Sequence, residues 1–281
     1  FHLVGHSLGG QVAGAAGSAL PGLPRITGLD PAAPWFEDED PAVRLDPTDA
    51  GLVDILHTNG GPWWLGYVGI SARHGHVDIY PNGGVIQPGC KKPAAGALEA
   101  ILSGELLEVF QDLAGCSHKR STVLYIDMLK KGSCPYIAVE CNSYEDFEAG
   151  ACSEGRVIDL TNVENEGFSG AGYMDTFAQT PYCGYHYVVA ASVSADSSSP
   201  KGEIKLTLTS SKGQQTTALL VDGTIKAGTT QSVTHLSDTQ LGDVTAADVS
   251  YERTSIMQTN TFVIDRLTVM SYRDSDWWSV L

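Results

Sequence analysis

The sequence predicts an α/β layer followed by an antiparallel β-sandwich, and three observations carry that expectation. Residues 1–182 alternate short apolar runs with helical patterns, as stacked β-α units do. Residues 183–281 are rich in Ser and Thr and alternate apolar with polar positions, as half-buried strands do. All six cysteines fall at or before Cys183, so the two parts differ in kind. With 281 residues, 42% of them hydrophobic, the chain can bury a real core as one large domain or two ordinary ones.

Taken in order, apolar strands are expected at Phe1–Gly5, Arg25–Leu29, Val53–His57 and Val77–Tyr80, with helices at Leu8–Leu20, Leu98–Leu113 and Arg120–Lys130. The second part offers alternating segments at Tyr185–Ser194, Glu203–Thr209, Thr216–Val221 and Thr261–Met270. The boundary is placed near Pro181–Gly184. Acidic charge concentrates in residues 1–183, with 23 acidic against 10 basic residues, while residues 184–281 carry 10 and 7. The net charge of −16 opposes a phosphate backbone and excludes nucleic acid as partner. No apolar stretch reaches the roughly 18–20 residues of a bilayer span. The start, Phe1-His2-Leu3-Val4, has neither an initiator Met nor a cationic lead-in, so a signal peptide is expected upstream. Six cysteines without a C-x-x-C pair favour disulfides and a secreted, extracellular protein over a zinc site.

Chemistry enters at the first turn. An apolar strand runs into Gly5-His6-Ser7-Leu8-Gly9-Gly10 and then a helix of small residues. This is G-x-S-x-G in strand-to-helix context, where a sharp turn holds the Ser strained and exposed, with glycines on both sides expected to prevent clashes. The helix N-terminus aims the Leu8 N–H at a developing oxyanion. Of the histidines, His57 and His76 sit inside strand-like runs and read as hydrogen-bonding core groups. His118 is expected on a loop directly after a cysteine, a plausible place for a base. Asp30 precedes Pro31, so its backbone is expected to be extended. Asp46-Pro47-Thr48-Asp49 reads as an N-cap, a proline at N1 and an acidic N3, a helix start without any metal. Leu106, Val109, Phe110 and Leu113 recur at helical spacing with Glu105, Glu108 and Asp112 on the other face, an amphipathic helix whose apolar side needs a cover.

Further runs follow in order: Ile26-Thr27-Gly28-Leu29-Asp30-Pro31-Ala32, Arg44-Leu45-Asp46-Pro47-Thr48-Asp49, His57-Thr58-Asn59, Gly75-His76-Val77-Asp78-Ile79-Tyr80-Pro81-Asn82-Gly83-Gly84, Gln87-Pro88-Gly89-Cys90 and Cys116-Ser117-His118-Lys119-Arg120-Ser121. Together they closely resemble the animal lipase family that includes pancreatic lipase, lipoprotein lipase and the secreted phospholipases A1. The resemblance implies an α/β-hydrolase domain with Ser7 as nucleophile, Asp30 as acidic member and His118 as general base, in the order Ser, Asp, His that the hydrolase pattern expects. It implies that Cys90 and Cys116 close a lid over the acyl site, that the loop Gly60–His74 with Trp63, Trp64 and Tyr67 accompanies the lid, and that Cys141 pairs with Cys152, leaving Cys134 and Cys183. It also implies a structural Ca²⁺ held by the carboxylates of Asp46 and Asp49 and the carbonyls of Pro41 and Arg44, all hard oxygen donors.

The second part resembles that family's lipid-binding sandwich, the PLAT domain, with Tyr182–Val189 as its first strand. The implied partners are a lipid–water interface, a triacylglycerol or phospholipid substrate and a small protein cofactor on the sandwich. The full-length lid favours triacylglycerol. A phospholipase A1 and a non-catalytic, yolk-type lipid-binding relative are the other readings. Because the chain starts at the nucleophile strand, the preceding strands and a second oxyanion donor are expected upstream, and residues 1–281 alone are expected to be inactive.

Overall fold

A computed structural model describes residues 1–91, 115–130, 132, 134–254 and 261–279. The amphipathic helix expected over Leu98–Leu113 lies outside the described residues. The chain divides into two compact units, Phe1–Glu140 with Ile158–Cys183, and Cys141–Val157 with Gly184–Leu281.

The first unit is built on a seven-stranded sheet of order β1-β2-β3-β4-β7-β5-β6. Strands β1 (His2–His6), β2 (Arg25–Leu29), β3 (Leu52–Leu56), β4 (Val77–Pro81) and β7 (Gly170–Met174) run parallel. β5 (Ile137–Glu140) pairs antiparallel with β7, and β6 (Val157–Asp159) closes the order. The parallel strands are covered on both faces, which is why they read as near-continuous apolar runs: Ile26, Val53, Ile55, Val77 and Ile79 are all buried. Each such side chain contributes about 1.5–3 kcal/mol on leaving water.

Helix α1 (Leu8–Ala19) packs on the segment before β3 through glycines rather than through an apolar stripe. A Cβ on Gly17 would sit 2.3 Å from the Asp49 carbonyl oxygen, and one on Gly14 would sit 2.9 Å from Leu45 Cα. Helix α2 (Gly115–Leu129) buries Ser117, Arg120, Ser121, Leu124 and Met128, a single face at helical spacing. His118 therefore stands on a helix, not on the expected loop. The polar run Cys116–Ser121 hid the helix because its inward positions bond polar groups instead of filling an apolar core.

The second unit contains two antiparallel sheets, β10-β9-β12 and β11-β8-β13-β14. Its strands are β8 (Tyr185–Val193), β9 (Lys201–Ser210), β10 (Gln215–Thr224), β11 (Thr230–Ser237), β12 (Val244–Arg253), β13 (Ile264–Ser271) and β14 (Trp277–Ser279). Both sheets feed one core, with Tyr187, Val189 and Ala191 from β8, Ile204, Leu206 and Leu208 from β9, and Leu267 and Val269 from β13. The period of two along β9 puts alternate residues inside, as a sandwich requires. Strands β11, β12 and β14 are additional to the sequence expectation. β12 exposes most of its residues, so its alternation is weak.

The stretch Cys141–Val157 precedes the expected boundary yet groups with the sandwich. Its short helix α3 (Tyr144–Glu148), capped by Ser143, inserts a fully buried Phe147 whose ring stacks on Tyr272 at 6.2 Å. The carbonyl oxygens of Phe147 and Ala149 accept from the hydroxyls of Thr234 and Ser232. Three disulfides, Cys90–Cys116, Cys134–Cys183 and Cys141–Cys152, use every cysteine.

Candidate active site

The register of the parallel strands brings the first two candidate residues side by side. His6 of β1 lies opposite Leu29 of β2, and Ser7 and Asp30 are the next residues on each strand. The Ser7 N–H donates to the Leu29 carbonyl at 3.1 Å, and the Asp30 N–H donates to the Leu56 carbonyl at 2.8 Å. Both residues stand at the carboxyl ends of the strands, where open α/β sheets bind ligands.

Both also have strained backbones. Ser7 has φ 56° and ψ −126°, and Asp30 has φ 48°. Such conformations cost of the order of 1–3 kcal/mol each. The expected extended backbone at Asp30 is thus replaced by a left-handed one. The ladder hydrogen bond to Leu56 fixes the strand, and the turn into Pro31 follows immediately.

Ser7 precedes α1 without a side-chain cap, so its hydroxyl is not committed to the helix. The Leu8 N–H stands in the first turn, where helical N–H groups lack intrahelical acceptors. Glycine is required on one side of the elbow only: a Cβ on Gly5 would lie 2.1 Å from the Gly9 carbonyl oxygen, whereas one on Gly9 would meet nothing within 4 Å. The expectation of clashes on both sides is corrected to Gly5 alone, because the Gly9 side faces open space.

Asp30 is wholly buried. Its Oδ1 accepts from the Thr58 N–H at 2.8 Å and the Asn59 N–H at 3.0 Å, and its Oδ2 lies 2.6 Å from His118 Nδ1. Gly69 packs so closely that a Cβ there would be 2.3 Å from Asp30 Oδ1. This arrangement can hold the His118 ring in one orientation, stabilise its protonated form and leave Nε2 for proton transfer.

His6 completes the surroundings: its ring centroid is 4.4 Å from that of His118, and its Nε2 is 3.1 Å from the His118 carbonyl oxygen. Burial, and then the neighbouring His118, hold the His6 imidazole below its ordinary pKa.

His57 and His76 are hydrogen-bonded within the fold. His57 is bound at both ring nitrogens, to Asp78 Oδ1 at 2.8 Å and the Ile70 carbonyl at 2.9 Å, and stacks on Tyr80. His76 Nδ1 accepts the Val53 N–H at 3.0 Å.

Asp46 and Asp49 stand at the helix start that their sequence predicts and form a capping box there. Asp46 Oδ1 accepts from the Thr48 N–H at 2.7 Å, Asp49 Oδ2 accepts from the Asp46 N–H at 3.0 Å, and Ser18 donates to Asp49 Oδ1 at 2.6 Å. Both carboxylates are buried, and their donors are neutral. Burial pushes the Asp49 pKa up, opposed by the Ser18 and Asp46 hydrogen bonds, with the Asp46 charge adding to the rise. The two carboxylates are hard oxygen donors of the kind a calcium ion takes. Among the described residues no cluster of three or more His, Cys, Asp or Glu offers a metal site.

Sequence reasoning missed Gly69, His6 as a neighbour of the His118 ring, and the Thr58 and Asn59 N–H groups. Thr58 and Asn59 stand within the quoted run His57-Thr58-Asn59, but backbone donors leave no mark in a side-chain pattern.

The family model described as Lipase matches residues 1–182. The Homo sapiens protein named Inactive pancreatic lipase-related protein 1 is 36% identical over 249 residues, covering 82% of this chain and 50% of that relative. The Rattus norvegicus and Bos taurus proteins named Lipoprotein lipase are each 45% identical over 197 residues, covering 67% of this chain and 40% of theirs. The chain thus spans half or less of the length of these relatives.

Proposed function

The chain belongs to the lipase family, and on that premise we propose that it is the ester-cleaving part of a secreted triacylglycerol lipase. The reading is carried by the 2.6 Å contact between buried Asp30 and His118 Nδ1, beside a strained, uncapped Ser7. In this mechanism Ser7 Oγ adds to the ester carbonyl carbon while its proton passes to His118 Nε2. The oxyanion accepts from the Leu8 N–H, and collapse expels the alcohol, which takes the proton back from His118. Water then attacks the acyl-enzyme by the same route, releasing the fatty acid. Asp30 stays ionised throughout and stabilises the imidazolium.

Three disulfides support an oxidising, extracellular setting. The segment closed by Cys90–Cys116 reads as an interfacial lid, which favours emulsified triacylglycerol over phospholipid as substrate. The sandwich reads as a PLAT-like module for the lipid surface or a small protein cofactor. A calcium ion on Asp46, Asp49 and the carbonyls of Pro41 and Arg44 would neutralise a buried carboxylate pair and brace the α1 packing through Ser18 and Asp49.

One relative is named inactive, so the deciding experiment is turnover. In the full-length protein, Ser7→Ala should lower kcat by several orders of magnitude, and adding His118→Ala should cost little more. A clearly additive double variant contradicts the triad. In the same assay, serine at Val109 and Phe110 should depress hydrolysis of emulsified triacylglycerol far more than that of a dissolved short-chain ester. Equal losses contradict the lid.

A further inference from the structure

We propose that Gln87 is a positioning residue for the Asp30–His118 pair, closing a ring of hydrogen bonds around it. The proposal rests on the triad reading above. Gln87 is almost completely buried, 1% exposed, in the turn after β4, and its hydrogen bonds run to Thr58, Pro81, Asn82 and Ser117 rather than to Ser7.

Its side chain grips one particular peptide unit. Gln87 Nε2 donates to the Thr58 carbonyl at 3.2 Å and to the Pro81 carbonyl at 2.8 Å. The N–H of that same Thr58–Asn59 peptide, on Asn59, donates to Asp30 Oδ1 at 3.0 Å. The amide of Gln87, the peptide plane, the Asp30 carboxylate and the His118 ring are therefore four links in one chain. Hydrogen bonds in series at low dielectric polarise one another, so the donor at the far end strengthens the one on the carboxylate.

The ring closes from the other side. The Gln87 N–H donates to Ser117 Oγ at 3.0 Å, and Ser117 is the residue before His118. The next residue repeats the tie, since Arg120 Nη2 donates to the Pro88 carbonyl at 3.0 Å. Gln87 Oε1 is not idle either: it accepts from Asn82 Nδ2 at 2.9 Å, which fixes the amide's orientation. One residue thus sets the strand end that holds Asp30 and the helix that carries His118, and the distance between the two depends on it. Thr58 and Pro81 offer carbonyls that only a donor with two N–H bonds can satisfy together, which explains an amide at this buried position.

Methionine keeps the length and shape of Gln87 but removes both N–H donors, and glutamate keeps the shape but cannot donate to both carbonyls at once. On a dissolved short-chain ester, with the full-length protein and kcat counted per active site titrated by an organophosphate, Gln87→Met and Gln87→Glu should each lower kcat about tenfold. KM should stay within about twofold, since neither change touches bound ester. The acid limb of kcat/KM should move to lower pH, because a loosened Asp30 stabilises the His118 imidazolium less. Ser117→Ala, which removes only the second tie, should lower kcat by a smaller factor, and Gln87→Met with Ser117→Ala should fall short of the product of the two.

A residue that served stability alone would change the melting temperature while leaving kcat per titrated site and the acid limb at parental values, and that outcome in Gln87→Glu and Ser117→Ala overturns the proposal even if Gln87→Met does not fold. Turnover that persists in Ser7→Ala is a different result. It removes the triad itself, and the ring's role with it.

Discussion

The two units both bury aliphatic cores but differ in the polar groups they bury. Among the described residues every buried carboxylate, Asp30, Asp46, Asp49, Asp54 and Asp78, lies in the first unit, and none lies in the sandwich. Four of the five non-glycine residues with positive φ, Ser7, Asp30, Trp35 and Asn82, are there as well. The sandwich instead buries alternating aliphatic and aromatic residues with a few hydroxyls and one histidine. Burying a charge costs free energy unless it is hydrogen-bonded, and a strained backbone costs more. A sheet with helices on its faces can carry both costs, because its core is large and its strand ends converge. The comparison teaches that the first unit accepts local instability to hold chemistry in place, while the second is arranged for cohesion.

The largest expected effect breaks the elbow. Gly5→Ala forces a Cβ to 2.1 Å from a backbone oxygen that cannot swing away. It should abolish turnover or folding of the first unit, whereas Gly9→Ala, with open space around its Cβ, should keep the fold and slightly raise the melting temperature. Comparable damage from both variants, read by circular dichroism and ester hydrolysis, contradicts the one-sided elbow.

The mirror experiment weakens cohesion without touching chemistry. Leu206 is fully buried in the sandwich core, so Leu206→Ala should cost about 2–5 kcal/mol in denaturant unfolding of that unit. Hydrolysis of a dissolved ester at low temperature should be unchanged, and a parallel loss of kcat argues against the division of labour.

A smaller effect tests the buried carboxylate pair. Calcium added to chelator-treated protein should raise its melting temperature, by about 2.7 kcal/mol of stability at a hundredfold excess over Kd, and Asp49→Asn should remove the response. No change in the parent protein on adding calcium rejects the ion.

A pH effect is shared by both units. Burial pushes the imidazoles of His74 in the first and His235 in the second down to about 4. In the unfolded chain an imidazole titrates near its ordinary value of about 6.5. The unfolded chain therefore takes the proton first, so the stability each contributes is full above pH 6.5 and drains as pH falls toward 4. Melting temperatures measured across that window should decline, and His74→Gln or His235→Gln should flatten the decline of its own unit only.

Much of this was legible in the sequence because periodicity and short motifs are local. Apolar pentapeptides announced β1 to β4, alternation announced β8, β9, β10 and β13, and Gly5 to Gly10 announced the elbow. The helix start at Asp46 and Asp49 follows from four consecutive residues. Other features had no local signal. His118 sits on a helix whose inward face is polar, Asp30 turns left-handed where Pro31 suggested extension, and Phe147 packs with strands far along the chain. Thr58, Asn59, Gly69 and Gln87 matter through backbone groups, missing atoms and partners up to 39 positions away. By itself the sequence determined which segments become strands and which residue types are available for chemistry, since both depend on neighbours along the chain. The tertiary structure alone decided which carboxylate meets which imidazole and what holds them there, since that distance is set by the register of parallel strands and by hydrogen bonds closed across the fold.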